Sequence, residues 1–154
     1  MKIYIASSWK NAEKAKAVAV ALRLAGNEVD CFCDPSTGRS VFSFKELDPI
    51  EGLDQIHDGS KTKIIAAFNE DRFWIDWADA VVLVLPAGNS SHLEAGYAVG
   101  AGKLLLILGD FPKGQLDVMY GFANGLHRTL EGLIAGIEEA KAAAWKNSPW
   151  PEEI

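Results

Sequence analysis

The chain has 154 residues, a net charge of −6, 49 % apolar residues and 23 % charged residues. That length suits one domain with one good core, and the composition is that of a globular protein. Lys and Arg form no stripe along the sequence, which argues against polymeric nucleic acid or an anionic membrane surface as partner, because both need clustered cations. The first six residues, Met1-Lys2-Ile3-Tyr4-Ile5-Ala6, lead directly into a short apolar run without a small-residue cleavage site. They read as a buried strand and not as a signal peptide. Apolar stretches fall short of the ~20 residues that span a bilayer, so a cytoplasmic protein is expected.

In chain order, residues 2–6 predict a first strand and residues 10–25 a helix, with Val18, Leu22 and Ala25 on one stripe. Gly26-Asn27 closes that helix. Residues 28–33 (Glu-Val-Asp-Cys-Phe-Cys) predict a second strand. Cys31 and Cys33 on one strand face are poorly placed for an intramolecular disulfide and read as reduced, packed thiols. Residues 34–60 lack a clean period; a loop of that length is usually functional or mobile, and a lid is one reading. Residues 61–77 return to helical spacing, with Ile64, Phe68 and Ile75 on one side. The uninterrupted run 80–85 predicts a central parallel strand buried on both faces. A helix reaching about Ala101 follows the Gly88–Ser91 loop, and Gly102 closes it. Residues 103–108 form the next strand, and a short edge strand is possible around 121–127. Thr129 then caps a last helix reaching about Trp145. One domain is expected over residues 1–146, with a Pro- and Glu-rich tail over 147–154.

Alternation of strands and helices predicts a three-layer α/β/α domain with about five parallel strands, doubly wound in the flavodoxin-like manner. The first strand should lie beside the Val81–Leu85 strand. Ligands in such sheets sit beyond the carboxyl ends of the strands, where the winding reverses. Ala6-Ser7-Ser8-Trp9 and the stretch Pro86 to Glu94 both fall there.

Those two segments hold the candidate chemistry. Glu94 follows the central strand in the first turn of its helix, where the helix dipole would keep a carboxylate ionised. Ser91-x-x-Glu94 is equally a capping box, in which the glutamate only reaches back to the cap amide. Asp71 lies beside the apolar stripe of its helix. It is either a boundary aspartate or a carboxyl with a raised pKa that handles a proton. Tyr4 is either a core tyrosine or a phenol donating to a carboxylate in the crevice. Trp9 is either a stacking plate for a flat heterocycle or an ordinary rim aromatic. Asp79 reads as a turn residue. Phosphate-loop, dinucleotide-binding and nucleophile-elbow motifs are missing, and no metal-ligand cluster stands out, so neither metal nor cofactor is expected. Two carboxyls and an aromatic shelf suit chemistry at an anomeric carbon, by attack of one carboxylate and displacement by a second acceptor.

Three blocks make the sequence similar to the nucleoside 2-deoxyribosyltransferase family. They are Ile3-Tyr4-Ile5-Ala6-Ser7-Ser8-Trp9, then Asp71 with Asp79 before a Val-rich strand, and Ser91-His92-Leu93-Glu94-Ala95-Gly96-Tyr97-Ala98 with Gly102-Lys103 behind it. The last is the most specific, and Asp117-Val118-Met119 is a weaker echo. The resemblance implies a flavodoxin-like enzyme of nucleotide salvage with Glu94 as nucleophile, Tyr4 holding it and Asp71 handling the base. The crevice position, apart from the resemblance, makes Ser7, Ser8, Trp9, Gly88, Asn89, Ser90 and Ser91 the expected substrate contacts. The resemblance also implies that Asp117 and Met119 complete a neighbouring subunit's pocket in a homodimer or larger homo-oligomer. Family transferases often carry an aspartate six residues before the nucleophile, where this chain has Gly88. Expected substrates are a small nucleoside or nucleotide and a free base. A 2′-deoxynucleoside 5′-monophosphate N-hydrolase and a non-catalytic nucleotide sensor are the alternatives.

Overall fold

The computed structural model describes residues 1–39 and 62–143. Its elements run β1 (Lys2–Ala6), α1 (Ala12–Leu24), β2 (Glu28–Cys31), α2 (Thr62–Trp77), β3 (Ala80–Val84), α3 (Asn89–Gly100), β4 (Leu104–Leu108), β5 (Gly125–His127) and α4 (Leu130–Ala142). All pairings are parallel, and the strand order is β2-β1-β3-β4-β5. This is the expected flavodoxin-like sheet. The winding reverses between β1 and β3, whose register sets Tyr4 beside Val81 and Ala6 beside Leu83.

Strand alternation sorts the core into two layers. Ile3, Ile5, Val82, Val84, Leu106 and Leu108 pack on one face with Ala15, Val18, Ala19 and Leu22 of α1 and with Leu133 and Ile137 of α4. Tyr4, Ala6, Val81, Leu83, Leu105 and Ile107 point the other way, onto Ile75 of α2 and onto Ala95, Ala98 and Val99 of α3. The site depends on this sorting. Tyr4 falls in the same layer as the two helices that carry Asp71 and Glu94.

Local chemistry sets the ends of the elements. Gly26 and Gly102 take the left-handed conformation, φ 81° and 76°, which closes α1 and α3. The Thr129 hydroxyl accepts from the Gly132 amide at 3.1 Å and starts α4. Asp79 is the turn residue expected of it, accepting the Lys2 N–H at 2.8 Å. The Tyr97 hydroxyl donates to Asp76 at 2.8 Å, which ties α3 to α2.

Several boundaries differ from expectation. The second strand stops at Cys31, because Phe32 and Cys33 already turn. Both cysteines are buried free thiols, with sulfurs 3.5 Å apart. The helix read from residue 10 opens with a 3-10 turn over Trp9–Asn11. Phe68 does not share the buried side of Ile64 and Ile75: it is 59 % exposed. The edge strand shrinks to Gly125–His127, preceded by a 3-10 turn over Val118–Phe122. The proposed lid within 34–60 falls largely, and the tail over 147–154 entirely, outside the described residues. Among the described residues no helix is long and apolar enough to cross a membrane.

Candidate active site

Loops at the carboxyl ends of β1 and β3 are stitched together by side chains. The Ser7 hydroxyl donates to the Val84 carbonyl at 2.7 Å, and the Asn11 amide donates to Ser7 Oγ at 3.1 Å and to the Pro86 carbonyl at 3.3 Å. Ser8 accepts the Lys10 amide at 3.2 Å, which holds Trp9 at the start of its turn. Trp9 then meets Phe32 edge to face, centroids 5.1 Å apart.

A cavity of about 220 Å³ opens between these loops, α2 and α3. Ser7, Ser8, Trp9, Gly88, Ser90, Ser91, Asp71 and Glu94 line it, as the sequence reading grouped them. Tyr4 is fully buried. Asn89 is absent from the lining. Asp117 and Met119 are also outside it; Asp117 accepts the Met119 amide at 2.8 Å in an exposed turn.

The capping box does not form. Helix α3 starts at Asn89, with Gly88 as its cap and no side-chain hydrogen bond there. Ser91 is inside the helix and 3 % exposed. Glu94 therefore sits in the second turn, beyond the reach of first-turn dipole stabilisation. The expectation of an ionised Glu94 is likewise overturned. Burial, and next the charge of Asp71, push its pKa from 4.5 up to about 8, outweighing the opposing pull of Tyr4 and Arg39. Asp71 is raised too, chiefly by burial. The Tyr4 hydroxyl lacks a partner of good hydrogen-bond geometry. It nevertheless stands near enough to Glu94 for each to shift the other's titration, and burial first, then Glu94, raise the phenol.

Two residues at this end of the sheet were not singled out from sequence. Asp30 is fully buried beside Tyr4, its register partner in the sheet. Arg39 is 5 % exposed and lines the cavity. Arg39 bonds Asp30 at 2.6 Å and also pairs with Asp71. A charged residue inside the apolar run Val29-Asp30-Cys31 was the available signal, since a buried carboxylate needs a cation. Where that cation comes from in the chain has no local signature. Among the described residues no group of three His, Cys, Asp or Glu is placed to hold a metal ion.

The fold defines the class as a doubly wound three-layer α/β/α domain, with a carboxylate-lined cavity at its switch point. Solved structures of similar fold include the CMP N-glycosidase BcmB of Clostridium botulinum, at 14 % identity and a TM-score of 0.54 over 90 % of this chain and 98 % of that one. They also include the 2-deoxyribosyltransferase of Bacillus psychrosaccharolyticus, at 18 % identity and a TM-score of 0.60 over 87 % of this chain and 90 % of that one. The sequence matches no family model and no curated protein, so this likeness is one of fold.

Proposed function

We propose that this protein breaks the N-glycosidic bond of 2′-deoxynucleosides through a covalent glycosyl-enzyme on Glu94 and passes the sugar to a second base or to water. One observation carries the reading: Glu94 and Asp71 converge, from two helices, on a single cavity walled by Trp9 and Phe32. The two neighbours of similar fold, a CMP N-glycosidase and a 2-deoxyribosyltransferase, support it.

A Glu94 oxygen attacks the anomeric carbon as the bond from that carbon to the base nitrogen breaks. The bonding pair leaves with the base, which needs a proton. Glu94 holds one near neutral pH, because its pKa is about 8. The proton it must lose is the proton the base must gain, and Asp71 stands between donor and acceptor roles with its own raised pKa. A second base nitrogen, or water, then displaces the glutamyl ester, and two inversions give net retention. Trp9 and Phe32 flank the planar base. The reading includes a homo-oligomer in which Asp117 and Met119, exposed and away from their own cavity, complete a neighbour's.

A 2′-deoxynucleoside 5′-monophosphate is the second reading. Lys10, Ser90 and the backbone of Gly88 at the uncapped start of α3 line the same cavity, a setting that suits an anion.

Incubation with deoxyinosine and free adenine tests both readings. Deoxyadenosine should form with the wild type and not with Glu94→Ala. Hypoxanthine without exchange identifies a hydrolase, and faster release from deoxyinosine 5′-monophosphate selects the nucleotide. Nucleoside binding with no turnover would leave a sensor and defeat the enzyme reading. Specific activity should fall on dilution together with the sedimenting mass; a fully active monomer removes the shared-pocket claim.

A further inference from the structure

Arg39 is a costly residue to bury. Taking a guanidinium and two carboxylates out of water is a poor route to stability, and apolar replacements of such clusters often hold a fold equally well. Its partners differ in place. Asp30 is fully buried under the site and takes no part in the cavity wall. Its Oδ2 accepts from Arg39 Nη1 at 2.6 Å, and its Oδ1 accepts the Thr37 hydroxyl at 3.4 Å. The other partner, Asp71, lines the cavity and receives Arg39 Nη2. The guanidinium also lies 5.7 Å from the Tyr4 ring centroid. A planar fork gripped on one side by a fixed carboxylate leaves its other side little freedom.

We propose that Arg39 is a positioning residue, anchored by Asp30, that fixes the orientation and charge of Asp71 against Glu94. This rests on the functional reading above for its catalytic consequence. The groups facing Arg39 are Tyr4 from β1, Asp30 from β2, Thr37 from the intervening turn, Glu70 and Asp71 from α2, and Glu94 from α3. Four of the six are carboxyls, and Arg39 is the cation that Asp30, Asp71 and Glu94 share. Without it, the charge left acting on Asp71 among the described residues is the like charge of Glu70. Asp71 then either takes up a proton or turns to solvent, and in both cases it no longer presents the same carboxyl to a leaving base.

Arg39→Met, Arg39→Lys and Asp30→Asn test this by two readouts. The first is the titration of the Asp71 and Glu94 carboxyl carbons by NMR in the ligand-free protein, which needs no turnover. Arg39 lowers both pKa values, so Arg39→Met should raise the Asp71 midpoint by about one unit or more. Arg39→Lys, which keeps the charge, should raise it less. The second readout is the pH profile of kcat and KM. Arg39→Met should lower kcat about 100-fold, with KM changed only a few fold, and Arg39→Lys should recover about tenfold of the loss. Asp30→Asn should act in the same direction, and combining it with Arg39→Met should add little, because Asp30 acts through Arg39. If Arg39→Met fails to fold, Arg39→Lys and Asp30→Asn carry the test. An unmoved Asp71 midpoint, or fully additive Asp30 and Arg39 effects, overturns the proposal. A wild type that turns over no nucleoside defeats the functional reading, while the NMR titration still decides the place of Arg39.

Discussion

Glu94 is protonated near neutral pH because the fold buries it beside Asp71. That has a thermodynamic consequence whether or not the residue is catalytic. Its pKa in the folded state, about 8, is above the ordinary 4.5. Between those values the folded chain binds a proton that the unfolded chain has released, so this group's contribution to stability is full below the lower value and is lost as pH rises through the upper one. Glutamine cannot ionise. Glu94→Gln should therefore match the wild type near pH 4.5 and exceed it above pH 8, by about 4–5 kcal/mol for a shift of that size. Thermal melts of both proteins across that range check it, and a gap that does not vary with pH would contradict it. Legibility at this scale was uneven. Glu94, Asp71 and Tyr4 could be named because motif and element order put them beside one crevice, although each lies inside its element and not at its end. Asp30 and Arg39 escaped because their pairing joins a strand to a turn through space, and no period in the chain records it.

Elements were legible wherever a period was long. The alternation of apolar strands and amphipathic helices gave the sheet, its order and its closing glycines. It failed where a local motif had two meanings. Ser91-His92-Leu93-Glu94 has the spacing of a capping box, yet α3 begins three residues earlier than that box would start it and leaves its cap to Gly88. The backbone of Gly88 is extended, with φ −93° and ψ −175°, and a β-carbon added there meets no atom within 4 Å. Gly88→Ser should thus cap α3 and restrict the unfolded chain, stabilising the protein by about 0.5–1 kcal/mol in chemical denaturation. Its cost should appear in substrate affinity, since the same amides line the cavity. A variant that gains no stability would mean that water already satisfies those amides fully. Strand β5 was hard to place for a different reason: three residues with only partial burial carry no usable alternation.

At the scale of the molecule, the cavity draws its walls from loops after β1, β2 and β3 and from two helices, all at the carboxyl end of the sheet. Its charge is as uneven as that of the chain. Asp30 and Asp71 pair with Arg39, Glu94 holds its proton near neutral pH, Glu70 stands on the wall, Lys10 is the other cation among the described lining residues, and the whole protein carries −6. An approaching molecule meets that field before it meets any side chain. A neutral nucleoside is indifferent to it, whereas a phosphorylated one is held off at a distance unless the local pull of Lys10 prevails. Added salt shortens the reach of the field from about 30 Å at 0.01 M to about 8 Å at physiological strength. Across that range kcat/KM for a deoxynucleoside should stay within about twofold, and for its 5′-monophosphate it should rise severalfold. A fall with salt for the monophosphate would show instead that Lys10 and the α3 amides outweigh the carboxyls. A rise with salt would make the carboxyl-rich wall a filter on substrate charge as well as the seat of the proposed chemistry.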